Sequence, residues 1–310
     1  MSDNGRHEFD ASPEGRAAYL ESLLDVSEPW VDHTPIFVEY LDDEDPQVRT
    51  AALRGLWFPP DYGLIDRFID LATHDPSVDV RTAAISALGI YIYEGEMAEY
   101  GLDLGPATDM LREEELPEAD FMRVQDFLLG VYADETRSLG ERGHAIESLG
   151  FLSDPKVSDL IKEAYSRPER EMKVSAIFAM GRSGMARWTE ILGRELYNAD
   201  QAIQREAIRS TGEIGLTELG KDLWRLTYSE DKDIMLEAID ALGQSGWEGA
   251  LERLEELTLT PDPEIAAVAE EALDEWLMMR ELLDQAEAFD EDMDLDWDQE
   301  DDMDPDQELD

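Results

Sequence analysis

IMLEAIDALG, residues 234–243, recurs in altered form 31 residues earlier and 31 residues later, and that spacing decides the fold. IQREAIRSTG (203–212) precedes it and IAAVAEEALD (265–274) follows. MKVSAIFAMG (172–181) and ERGHAIESLG (141–150) continue the register toward the N-terminus. VRTAALRGLW (48–57) and VRTAAISALG (80–89) are two further copies. The fifth residue is alanine in each: Ala52, Ala84, Ala145, Ala176, Ala207, Ala238 and Ala269. The sixth is Leu53, Ile85, Ile146, Ile177, Ile208, Ile239 and then Glu270. Apolar residues at the first, fifth, sixth and ninth positions form the stripe of a helix packed on one face. Such a unit cannot bury its stripe alone, so neighbouring units must stack.

Working outward, Asp45-Pro46, Asp75-Pro76, Asp154-Pro155 and Asp262-Pro263 precede copies or their companion segments. Aspartate as N-cap with proline at the first helical position starts a helix. Glycine closes five of the seven copies, and the expectation is a left-handed helix stop there. Amphipathic segments at 185–196, 216–227 and 247–258 supply a second helix per unit. The regularity fails between Gly89 and Gly150, which lie 61 residues apart, one short of two periods. The segment 118–132 reads as the first helix of the unit ending at Gly150. Residues 92–116 read as a degenerate unit with a helix near 106–116, an insertion being the alternative. The expected organisation is an N-terminal capping segment over 1–28, a repeat array of roughly eight helix pairs over 29–281, and an acidic tail over 282–310.

Charge narrows the function. There are 76 acidic and 25 basic side chains, a formal net charge of −51. Nucleic-acid binding through phosphate neutralisation needs a basic footprint, and binding to an anionic membrane surface needs a polybasic patch. Neither is present. No cysteine occurs, which excludes disulfides, zinc-thiolate sites, iron–sulfur clusters and a thiol nucleophile. The N-terminus is charged from its start, without the apolar core of a signal peptide. No window approaches the run of about 18 apolar residues that spans a bilayer. The expectation is a soluble, cytoplasmic, monomeric protein.

The tail is extreme. Residues 281–310 hold sixteen acidic and no basic groups. Such a run repels itself, so fraying near Ala288 and disorder beyond it are expected. Met293, Leu295, Trp297 and Met303 interleave the acids, as in an acidic-hydrophobic recognition segment. DMDLDWDQEDDM (292–303) has the alternating aspartates of a calcium loop. It lacks the glycine at its sixth place and the glutamate at its twelfth, and no metal is expected. Histidines 7, 33, 74 and 144 show no ligand spacing. No phosphate loop, nucleophile elbow or dinucleotide fingerprint occurs, so no cofactor and no catalytic residue is assigned.

The D-P-x-V-R-x-A-A pattern of Asp45–Leu56, its copy at Val80–Gly89 and the 31-residue helix pair resemble HEAT repeats, especially the short bacterial and archaeal kind of phycobilisome lyases. The resemblance implies an all-α fold: a right-handed α-solenoid of stacked helix pairs, an armadillo/HEAT-like superhelix. It also implies a ladder between units, for which Arg49, Arg81, Arg142 and Lys173 are the basic candidates and Asp45 and Asp75 the acidic ones. Gln204, Met235 and Ala266 depart from that pattern.

Third and seventh pattern positions face a concave groove in this reading, and Arg54, Phe178, Arg205 and Arg209 occupy them. Phe178 is an apolar residue in an otherwise polar series. Trp57 and the neighbouring Phe58, Pro59, Pro60, Tyr91 and Tyr93 form either a binding rim or a cap on the core. Together with Trp297 in the tail, Arg54, Trp57, Phe178, Arg205 and Arg209 are the candidates for partner binding. The expected function is a non-enzymatic scaffold for a protein or peptide, basic in character. A bilin-lyase-like or glycosylase-like enzyme is the alternative, by family analogy. Acidity from salt adaptation competes with acidity for recognition, since net charge governs solubility and association rather than fold.

Overall fold

A computed structural model describes residues 12–24, 31–57, 60–99 and 116–300, with backbone alone at 98–99 and 282–300. All described regular structure is helical, and no strand occurs among the described residues. Two compact units divide the chain, residues 1–183 and 184–310. The boundary falls inside the 29–281 span read as one array. Gly184 has the same left-handed backbone as Gly215 and Gly246, so no local signal sets it apart.

The first unit contains α1 (Pro13–Leu24), α2 (Thr34–Tyr40), α3 (Pro46–Arg54), α4 (Ile65–His74), α5 (Val78–Glu99), α6 (Glu118–Ala133), α7 (Leu139–Leu149), α8 (Pro155–Tyr165) and α9 (Arg170–Arg182). Helices α3, α5, α7 and α9 carry the repeated pattern and pack side by side in that order, with α1 against α3. Companion helices α2, α4, α6 and α8 each cover the pattern helix that follows. The second unit repeats the plan. Pattern helices α11 (Gln201–Ile214), α13 (Lys232–Gln244) and α15 (Pro263–Glu300) form its row, with α10 (Thr189–Glu195), α12 (Gly220–Leu226) and α14 (Ala250–Thr258) as companions. This is the stacked-pair solenoid that the 31-residue period requires.

All seven fifth-position alanines are fully buried, and the six apolar sixth-position residues are at most 1% exposed. Each such Leu or Ile contributes roughly 1.5–3 kcal/mol by leaving water. Glu270 is exposed. It stands on the last pattern helix, where no further unit follows within the described residues.

The glycines at the tenth position act differently from the expected left-handed stop. Gly150 closes α7 with an ordinary helical φ of −56°, and Gly89, Gly212 and Gly243 lie within helices. A Cβ on Gly150 would come within 2.9 Å of the Ala179 Cα, and on Gly243 within 2.5 Å of the Ala272 carbonyl oxygen. On Gly89 it would meet Ser148, and on Gly212 Ala241. The glycine therefore admits the eighth residue of the next pattern helix. The left-handed stop comes three residues later, at Gly184, Gly215 and Gly246 (φ 60–70°), where L side chains are penalised.

Residues 92–99 extend α5 rather than opening a degenerate unit. Helix α5 packs directly on α7, and α4 touches α6, so the unit ending at Gly89 adjoins the unit ending at Gly150. Close approach at Gly89 lets α5 run on past the glycine that was read as its end. The expected helix near 106–116 lies outside the described residues, apart from Leu116. Within the expected capping segment Pro13–Leu24 forms α1, while residues 1–11 and 25–30 lie outside the described residues. The final helix runs to Glu300, past Ala288. Good helix formers (Leu282, Leu283, Gln285, Ala286, Glu287) carry it onward in sequence, and residues 301–310 lie outside the described residues.

Ion pairs tie the first unit together. Arg16 donates two 2.8 Å hydrogen bonds to the Asp43 carboxylate. Arg49 donates to both Asp75 carboxylate oxygens (2.9 and 2.8 Å) and to the Asp43 carbonyl (2.8 Å). Arg81 donates to Glu141 (2.8 Å) and to the Asp75 carbonyl (2.9 Å). Each loop aspartate thus takes one arginine on its carboxylate and the next on its carbonyl. Asp45 instead caps α3, accepting from the Gln47 N–H, because it stands two residues after the linking position held by Asp43. Arg142 donates to the Tyr132 carbonyl (2.8 Å), and Lys173 lies 4.8 Å from the Tyr165 ring centroid. Neither carries the arginine–carboxylate chain onward. In the second unit Gln204 donates to the Leu196 carbonyl, and the links between units of the repeat include the more exposed Lys232–Asp262 and Arg205–Glu237 pairs.

Candidate functional site

A groove of about 680 Å³ opens on the pattern-helix row of the first unit, between α3, α5 and α7. Thr50 and Thr82 (third positions), Arg54 and Ser86 (seventh positions), Trp57, Val78, Asp79 and His144 line it. A second hollow of about 440 Å³ adjoins it toward α1, sharing Thr50, Arg54 and Asp79 and adding Glu14 and Glu21. The groove has a local cause. Where other copies place a glycine against the next helix, the first copy places Trp57, and α3 ends early at Arg54. Trp57 lies past the end of α3, and Ala87 and Leu53 line the groove with it.

The charges are sparse. Arg54 is exposed and 3.8 Å from Glu21, both well solvated, so the pair is weak. Glu14 and Asp79 are exposed. The Thr50 hydroxyl is buried and has no hydrogen-bond partner. Ser86 shares a 2.9 Å hydrogen bond with His144 Nδ1, which also lies 3.0 Å from Glu147. Burial acts to lower the His144 pKa, but the hydrogen bond and charge of Glu147 outweigh it, and the imidazole titrates above its ordinary value. Burial acts to raise the Glu147 pKa, while its hydrogen bond to His144 and the nearby charges hold it below the usual carboxylate range.

Phe178 lies beside the groove, in an aromatic cluster around Arg182. The guanidinium carbon is 4.4 Å from the Phe178 ring centroid, 4.6 Å from Phe151 and 5.4 Å from Trp57. Tyr93 meets Phe151 edge-on at 5.2 Å. Two candidates read separately from the sequence, Trp57 and Phe178, thus meet over one arginine that lies just outside the ten-residue pattern. Tyr91 belongs to the core, fully buried with its hydroxyl donating to the Asp61 carbonyl (2.7 Å). Phe58 and Pro59 lie outside the described residues.

Arg205 and Arg209 sit in the second unit and share one carboxylate. Both donate to Glu237 (2.8 and 3.0 Å), and Arg209 also reaches Glu206 three residues back. Half-buried Asp240 follows on the same row. Desolvation raises its pKa, reinforced by Glu275 and Glu237 and opposed by Arg209. The Trp297 side chain lies outside the described residues. Asp79, Thr50, Thr82, Ser86 and Arg182 were not singled out in the sequence. The hydroxyls occupy positions read as groove-facing, whereas Asp79 and Arg182 flank the pattern.

No group of residues able to hold a metal ion occurs among the described residues. Among those residues no helix is long and apolar enough to cross a membrane.

The family model for HEAT repeats matches residues 34–98 and 189–274, one stretch in each unit. The chain carries HEAT repeats in both stretches. Solved structures similar to this chain include the YibA protein of Escherichia coli, at 15% identity and TM-score 0.43, covering 86% of this chain and 97% of that one. An engineered protein matches at 19% identity and TM-score 0.40, with coverage of 84% and 72%. Human deoxyhypusine hydroxylase in complex with glycerol matches at 17% identity and TM-score 0.33, with coverage of 84% and 99%. No curated protein matches.

Proposed function

We propose that this protein is a non-enzymatic, cytoplasmic scaffold that holds a basic protein or peptide on its pattern-helix row. The open groove between α3, α5 and α7 is the observation that carries this reading. It offers an indole, a valine and a free-standing carboxylate on a rigid row of buried helices, and recognition sites favour such rigid supports with few polar groups. HEAT repeats generally mediate contacts between proteins. The net charge of −51 steers basic partners inward and repels acidic ones, and salt weakens the effect as the Debye length falls from about 10 Å at 0.1 M to 3 Å at 1 M. The acidic segment after Glu281 adds to that steering.

Affinity capture with the full chain from its host, followed by binding measurements on the purified co-isolated protein, tests the proposal. The expected result is saturable one-to-one binding by a basic protein, with an on-rate that drops as salt rises. A captured acidic protein with salt-independent kinetics contradicts it. So does turnover of a small molecule that needs no protein partner.

A further inference from the structure

The groove has enough chemical detail to define its occupant more narrowly than by net charge. Its two hollows adjoin, with Thr50, Arg54 and Asp79 lining both, one toward α1 and the other between α3, α5 and α7. Arg54 stands 3.8 Å from Glu21 in a weak, solvated pair. Asp79 and Glu14 have no ion pair among the described residues and stand exposed in the lining, each in the first turn of a helix. Trp57 and Val78, the latter 44% exposed, give apolar surface beside Asp79. Between them lie hydroxyls, with the Thr50 oxygen lacking any partner. We propose that this groove binds a peptide segment that places an arginine or lysine against Asp79 and a large apolar side chain against Trp57 and Val78. Half-exposed Thr82 hydrogen-bonds to its backbone.

This rests on the scaffold reading and deepens it. A cation opposite Asp79 gains a charge-assisted hydrogen bond. Its apolar neighbour gains by leaving water against the indole, which is the kind of anchor that dominates interface energy. An acidic segment would place its carboxylates against Asp79 and Glu14, and a neutral one would leave Asp79 unmatched.

Three fluorescein-labelled dodecapeptides, alternating leucine with arginine, glutamate or serine, distinguish the possibilities by fluorescence anisotropy with the full chain. The arginine–leucine peptide should bind at 0.5 M salt and the other two should not. Asp79→Asn and Trp57→Ala should each weaken it about tenfold or more, equivalent to about 1.4 kcal/mol. Glu230→Gln, an exposed acid in the second unit, should leave it unchanged. Asp79 is exposed, so its asparagine variant should fold normally, and circular dichroism verifies this. One neutralised carboxylate in a net charge of −51 barely alters the overall field, so a tenfold loss at Asp79 reports local contact. Equal binding by both groove variants overturns the groove assignment and leaves the scaffold reading standing. Tighter binding of the glutamate peptide, or no binding by any of the three, also overturns the assignment. The scaffold reading itself is decided by the captured partner described above.

Discussion

Gly243, Gly246 and Gly130 occupy three different environments, and alanine at each should have a different effect. At Gly243 the new methyl would strike the Ala272 backbone at 2.5 Å, forcing two packed helices apart at about 1–3 kcal/mol. At Gly246 there is space, but φ is 63°, which costs roughly 1–2 kcal/mol for an L residue. Gly130 lies within α6 and a Cβ there meets nothing within 4 Å, so Gly130→Ala should stabilise by about 0.5–1 kcal/mol. Urea denaturation of the three variants measures this order. Equal destabilisation by all three would contradict the assigned roles. Glu141 supplies a pH test. Burial works against its charge, but hydrogen bonds from Arg81 and Ser138 prevail and hold its pKa at about 2. The depressed value means that its stabilisation is present above about pH 4.5 and is lost as pH falls toward 2, about 3 kcal/mol in all. Glu141→Gln should lower stability at pH 7 and lose less than the parent between pH 4.5 and 2.5. Parallel acid limbs for the two proteins would refute the pairing.

At the scale of helices, the stripe of Ala52, Leu53 and their equivalents was fully legible, because burial on one face leaves a period in sequence. The resemblance to HEAT repeats implied a ladder with Arg49 as a basic member and Asp45 and Asp75 as acidic ones, whereas Asp43 was not named. Asp43 and Asp45 are chemically identical and two residues apart, and only the loop path decides which caps α3 and which holds arginines. Glycine in the tenth position was read as a stop because termination and close approach both demand a missing Cβ. The matching small series at the eighth position (Ala87, Ser148, Ala179, Ser210, Ala241, Ala272) was the signal that separates them. The groove needed three dimensions, since its lining comes from three helices and from Trp57 past the end of α3. Phe178 now carries a structural expectation as well as a functional one. Because its ring packs against Arg182 within the α9 cluster, Phe178→Ala should lower the melting temperature by several degrees, in line with about 1–3 kcal/mol for losing half-buried aromatic contacts. An unchanged melting temperature with weakened partner binding would instead assign Phe178 to recognition alone.

Over the whole molecule, 76 acids against 25 bases set the balance between self-repulsion and ion pairing. Links such as Arg49–Asp75 are buried and short-range, so salt screens them little, while repulsion among exposed carboxylates is screened strongly. The melting temperature should therefore rise between 0.05 M and 1 M sodium chloride. A fall would mean that exposed ion pairs outweigh repulsion. The same excess of acid makes nearly any basic molecule adhere weakly at low salt, so affinity alone does not locate the binding surface. Carboxyl footprinting of the full chain with its captured partner at 0.5 M salt, read by mass spectrometry, does. Bound partner should shield Asp79 and Glu14 on the groove while Asp66, Asp120 and Asp159 on the companion helices keep their labelling. Shielding of the companion-helix acids with Asp79 still fully labelled would contradict the account.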